Sequence, residues 1–223
     1  GRSVLLELVI ELEADNRQFL LFKDKVIEEP SQEQNTWNNI LDDALGRRVI
    51  EFIVDHIPLG EEKWGANVLL QRLKNSSSEL VDRLYKRMVG AAPSDADTLG
   101  NYAIFLARKR GDLDGAESYY RRALEADPKH ANHLGNYANF LDQKRGDLDR
   151  AESYYQRALE ANPKHVNNLG NYANFLDQKR GDLDEAESYY QRALEANPKH
   201  ANHLGNYANF LDQKRGDLDE AES

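Results

Sequence analysis

Two histidine pairs, His130-Ala-Asn-His133 and His200-Ala-Asn-His203, have the i, i+3 spacing that sets both rings on one face of a helix, where they could share a metal ion. The segment between them reads His165-Val-Asn-Asn168, so the second ligand is missing there, and the histidines are expected to be exposed residues at helix starts with no metal bound. Acidic residues also recur, as in GDLDEAES from Gly181, which raises general acid–base chemistry or calcium. A calcium loop needs more oxygen ligands and a glycine at a set place within a dozen residues. Asp182 followed by Glu185 fits a helix capping box better, with Asp184 favoured by the positive end of the helix dipole. Ser76-Ser77-Ser78 reads as a turn and helix cap. No phosphate-binding glycine loop, GxSxG or HExxH occurs, so neither catalysis nor a cofactor is expected.

Composition narrows the partners. The formal charge of −10 and pI near 5.1 argue against nucleic acid and anionic membrane, which are held by clustered Lys and Arg, and leave proteins or peptides. The chain has no cysteine, which removes disulfides and thiolate chemistry and agrees with a cytoplasmic setting. Its most apolar run, near the N-terminus, is broken by Glu7, Glu11 and Glu13 well short of a membrane span. A mean hydropathy of −0.79 is polar for a compact globule and suits a chain with much surface.

The elements that carry these residues come from a repeat. Gly100, Gly135, Gly170 and Gly205 are 35 residues apart, and Tyr102, Tyr137, Tyr172 and Tyr207 keep the same step, as do Pro128, Pro163 and Pro198. Leu134, Tyr137, Ala138 and Leu141 are spaced i, i+3, i+4, i+7, so they share one helical face, and Ala151, Tyr155 and Ala158 form the stripe of a second helix. Between the two, Gly146 ends the first helix and Asp147 caps the next. Each unit is a helix, a tight turn and a helix. A lone pair cannot bury its apolar stripe, whereas stacked copies bury one another's.

Leu134, Tyr137, Ala138, Leu141, Gly146, Ala151, Tyr155, Ala158 and Pro163 together resemble the tetratricopeptide repeat (TPR) family over residues 94–223. The departures are a tyrosine where leucine is usual and a 35-residue period in place of 34, with the extra residue placed near Gln143 to Arg145. The resemblance implies an all-α fold, a right-handed superhelical solenoid of antiparallel helix pairs. It also implies a protein-interaction scaffold, the sensor or adaptor part of a larger protein, that holds a peptide or protein on its concave face. Helix-A residues not used in packing would line that face: Asn132, Asn139, Asp142 and Gln143, then Asn167, Asn174, Asp177 and Gln178, then Asn202 and Asn209, with Gly135, Gly170, Gly205, Asp212 and Gln213 among them. An amide both donates and accepts, so such a ladder suits an extended peptide backbone. Glycine inside a helix is unfavourable by about 0.5 to 1 kcal/mol relative to alanine, so its recurrence signals a close neighbour, either the next helix or a bound ligand.

The register runs upstream. Trp64-Gly65 stands 35 residues before Leu99-Gly100, and Val81, Tyr85 and Met88 take the places of the helix-B stripe, so residues 61–93 read as a degenerate repeat. Residues 1–60 read as a divergent helical segment, with an apolar stripe at Val49, Ile50 and Ile53. The last unit stops at Ser223, inside its second helix. It is therefore expected to leave an open groove beside Tyr207, Leu211 and Leu218, through which a longer array continues or, as an alternative function, copies self-assemble into a homo-oligomer.

Overall fold

The computed structural model describes residues 44–57, 59, 64–75 and 77–221. Two compact units divide the chain, Gly1–Thr98 and Leu99–Ser223. Every regular element among the described residues is helical.

In the first unit, α1 (Ala44–His56) and α2 (Trp64–Leu73) both pack on α3 (Ser78–Ala91). Ser77 caps α3 by accepting from Leu80 N–H, and Leu80, Val81, Leu84 and Met88 form its buried stripe. Arg87 closes the other end of α1, donating to the carbonyls of Val54 and Ile57, which the helix itself leaves unpaired. Helix α4 (Ala96–Phe105) carries the boundary between the units.

The second unit repeats one hairpin. Helices α5 (Leu113–Ala126), α6 (Ala131–Phe140), α7 (Leu148–Ala161), α8 (Val166–Phe175), α9 (Leu183–Ala196) and α10 (Ala201–Ala221) follow α4 in order, and each packs on its neighbours in the chain. Asp112, Asp147 and Asp182 cap α5, α7 and α9 by accepting from the N–H three residues on. At Asp182 the expected box is half made, because its own N–H goes to Leu176 O and not to Glu185.

Each joint between repeats is built alike. The buried tyrosine of a second helix stacks on the tyrosine of the next first helix, Tyr120 on Tyr137 at 5.3 Å and Tyr155 on Tyr172 at 5.5 Å between centroids. Phe140 and Phe175 lean on the same rings, each at 5.3 Å. Alanines 116, 123, 151, 158, 186 and 193 have no exposed surface, which lets the helices approach closely around the rings.

The extra residue of the 35-residue period has a structural cause. Helices α4, α6 and α8 each end in one π-helical turn, Leu106–Arg110, Leu141–Arg145 and Leu176–Arg180, and a π turn takes in one residue more than an α turn. Gly111, Gly146 and Gly181 then stop the helix at φ of 69°, 67° and 70°, a left-handed conformation that only glycine adopts freely.

Helix α10 departs from this pattern. The same sequence runs as one helix through Gly216 to Ala221, where an earlier copy would have turned. Leu204 is 44% and Leu211 37% exposed, although the matching Leu134, Leu169, Leu141 and Leu176 are buried. The side chain of Leu218 lies outside those described.

The π turn also decides which cation crosses to the preceding repeat. Arg145 bonds Asp114 at 2.5 Å and Glu117 at 3.0 Å, and Arg180 repeats this on Asp149 and Glu152 at 2.7 and 2.8 Å. In the straight α10 the cation one place earlier, Lys214, takes over on Glu187 at 2.6 Å and Asp184 at 3.7 Å.

Candidate functional site

The recurrent glycines are explained by the neighbouring helix. A Cβ on Gly100 would stand under 3.0 Å from the ring of His133, one on Gly135 equally close to the amide of Asn168, and one on Gly170 to the ring of His203. Each buried polar side chain therefore lies over the glycine one repeat earlier. The expectation that these histidines are exposed is corrected: His133 is 3% and His203 4% exposed, because the bare backbone of the glycine leaves room for a ring. Asn168, 3% exposed, fills the middle joint and donates from Nδ2 to Ala131 O at 2.9 Å.

The first histidine caps the helix in two of the three segments, whereas His200 Nδ1 has no hydrogen-bond partner among the described residues. His130 Nδ1 accepts from His133 N–H at 3.4 Å, and His165 Nδ1 from Asn168 N–H at 3.3 Å. Within each pair the rings are stacked, His130 on His133 at 3.8 Å and His200 on His203 at 3.9 Å, an arrangement of parallel faces.

Above these joints the first helices line a groove of about 310 Å³. Its wall contains Asn132, Asn136 and Asn139, then Asn167, Asn168 and Asn171, then Asn202 and Asn206, with His165, His200, His203 and Arg108. Helix α6 sends Asn132, Asn136 and Asn139 to one face at spacings i, i+4, i+7, and α8 does the same with Asn167, Asn171 and Asn174. Of the ten residues read from the sequence as a concave wall, Asn132, Asn139, Asn167 and Asn202 line this groove. The other six lie outside the groove lining: Gln143, Gln178 and Asn209 are exposed, Asn174 and Asp177 half-buried, and the Asp142 side chain only 8% exposed.

Asn136, Asn171 and Asn206 escaped that reading. They recur at the 35-residue step and lie four residues beyond Asn132, Asn167 and Asn202, so helical periodicity alone identifies them.

Among the described residues no carboxylate lines the groove, although the chain as a whole carries −10. Burial holds the imidazoles of His165 and His203 below the ordinary histidine range, with His130 and His200 adding to the effect, so both are neutral near pH 7. Arg108 is the one fixed charge in the lining among the described residues. Asp142 and Asp177, on the next turn of their helices, are pushed up by burial, and at Asp142 Lys179 opposes this from 4.0 Å.

Two profiles described as tetratricopeptide repeat match the sequence, one over residues 106–166 and one over 154–188 and 189–223, together more than half of the chain. The chain belongs to the tetratricopeptide repeat family. Solved TPR structures share its fold. A thermophilic TPR protein of Thermus thermophilus is 21% identical with a TM-score of 0.59, over 75% of this chain and 89% of that one. MamA from Desulfovibrio magneticus RS-1 is 19% identical with a TM-score of 0.57, over 74% and 92%. YrrB, described as a TPR protein with an unusual peptide-binding site, is 17% identical with a TM-score of 0.55, over 83% and 97%. Comparison with curated proteins returned no match. Among the described residues no helix of this TPR chain is long and apolar enough to cross a membrane.

Proposed function

We propose that the regular TPR array, residues 94–223, is a protein-interaction scaffold whose amide-lined groove holds an extended peptide. The observation that carries this reading is the run of asparagines across three repeats, Asn132, Asn136 and Asn139, Asn167 and Asn171, Asn202 and Asn206, in a groove free of carboxylates. Amides without fixed charge form hydrogen bonds to a peptide main chain and do not demand a charged side chain from it. The description of the similarly folded YrrB as having a peptide-binding site accords with a TPR groove used in this way. The groove histidines have no carboxylate or hydroxyl partner in the lining among the described residues, and the reading is of a binding module. Residues 61–93 belong to the same reading as a degenerate repeat that leads into the array.

Selection of peptides from a random displayed library on the 223-residue chain tests the proposal. Selected peptides should lose most of their affinity for Asn139→Ala combined with Asn171→Ala, with helical content by circular dichroism unchanged. Undiminished binding by that variant would remove the groove as the site.

A further inference from the structure

Two tyrosine hydroxyls reach from the second helices to amides of the first. Tyr155 O–H donates to Asn139 Oδ1 at 2.7 Å, and one repeat later Tyr190 O–H donates to Asn174 Oδ1 at 2.5 Å. In the first regular repeat the matching position is Ile104, so the arrangement begins with the second. Both tyrosines are 1% exposed, and burial first, with Asp142 beside Tyr155 and Asp177 beside Tyr190, raises both phenols far above their ordinary range. Each hydroxyl keeps its proton, and a desolvated hydroxyl is costly to leave without an acceptor.

The carbonyl end of each amide is engaged by this contact. Among the described residues the only hydrogen bonds of Asn139 and Asn174 side chains are these two, so Nδ2, with its two N–H groups, is the end left for another molecule. Rotating the amide would let the hydroxyl accept from Nδ2 but leave its own buried hydrogen without an acceptor, so the tyrosine favours one orientation.

The geometry points to a polarised wall: Tyr155 is a positioning residue that fixes Asn139, in the groove lining, as a donor, so that the bound peptide presents a main-chain carbonyl oxygen to it, while Tyr190 and Asn174 repeat the contact one unit on, outside that lining. This specificity rests on the peptide-binding reading above. A backbone rich in carbonyl acceptors and poor in N–H donors meets the requirement, and proline supplies it while holding the chain extended.

The test uses the full chain and two probes of equal length, N-acetyl nonaproline amide and an alternating Gly-Ser nonapeptide, followed by the NMR shifts of the Asn139 and Asn174 Nδ2 groups. Nonaproline should shift the Asn139 group more than the Asn174 group, which stands outside the lining, and bind more tightly than the Gly-Ser peptide. Tyr155→Phe with Tyr190→Phe retains the ring packing on Tyr172, Phe175, Tyr207 and Phe210 and removes only the hydroxyls. It should weaken nonaproline by about fivefold as the Asn139 donor is set free to turn, and reduce the preference over Gly-Ser. Asn139→Asp with Asn174→Asp keeps an acceptor for each tyrosine but offers no donor, and should abolish nonaproline binding. Nonaproline affinity unchanged in both variants would overturn the inference. So would a library-selected peptide that occupies the groove while nonaproline does not, and that result would leave the groove itself standing. If no peptide perturbs the groove, the binding reading and this inference fall together.

Discussion

The imidazole of His203 occupies the space that a side chain on Gly170 would need. The same relation joins Asn168 to Gly135 and His133 to Gly100, so a glycine and a buried polar side chain define every regular joint.

Adding one methyl group at two glycines should therefore have opposite effects. Gly135→Ala places Cβ under 3.0 Å from the amide of Asn168 and forces the joint apart, which should cost on the order of 1 to 3 kcal/mol. Gly205→Ala meets nothing within 4 Å and should stabilise the helix by about 0.5 to 1 kcal/mol. Thermal unfolding of the two variants checks both signs. A stable Gly135→Ala would mean that the joint is looser than its geometry.

The buried imidazole makes stability depend on pH. Because burial lowers the folded-state value of His203, with His200 as the second cause, the unfolded chain binds the proton first as pH falls. The contribution of the neutral ring is present above the unfolded histidine value of about 6.5 and is lost as pH falls from there through the depressed folded value. His203→Asn copies the middle joint and should flatten that fall in melting temperature, leaving the part due to His165. An unchanged pH profile would rule out His203 as its source.

Deleting Lys179 should convert one unit to the shorter 34-residue period. Without the extra residue the π turn becomes α-helical, and Arg180 moves to the place from which Lys214 reaches Glu187 in the straight helix. Arg180 would keep its contact with Asp149 and Glu152. Helical content should persist and the melting temperature should stay within about 2 to 4 °C, since exposed ion pairs contribute about 1 kcal/mol or less. Loss of cooperative unfolding would show that the π turn is required by the joint.

Asp142→Asn should stabilise the fold at neutral pH. The Asp142 side chain is 8% exposed, its Oδ1 has no hydrogen-bond partner, and Lys179 stands 4.0 Å away. Burial raises its folded value, so the charged form opposes folding above the ordinary aspartate range and the native state gains as pH falls toward that value. Removing the charge should add on the order of 1 kcal/mol, or about 2 to 4 °C. A lower melting temperature would mean that the Lys179 pairing outweighs desolvation.

Local signals made much of this architecture readable. Periodic stripes such as Leu134, Tyr137, Ala138 and Leu141, and the turn at Gly146 and Asp147, are statements about one or two helical turns, and sequence displays them directly. The position of the extra residue was legible for the same reason, since the repeat itself locates it. What sequence could not decide were relations across about 33 residues. Gly135 announced a close neighbour but not that the neighbour was Asn168, because that contact exists only once two hairpins stack. His133 and His203 looked like surface residues until the glycine beneath them made room, and Asn136 joined the groove only when its wall was assembled. The sharpest case is Lys-Arg-Gly-Asp, which turns at Gly146 and Gly181 but stays helical at Gly216. At Gly146 and Gly181 the turn draws its stability from α7 and α9 packing back on α6 and α8, and that burial is a property of the tertiary structure.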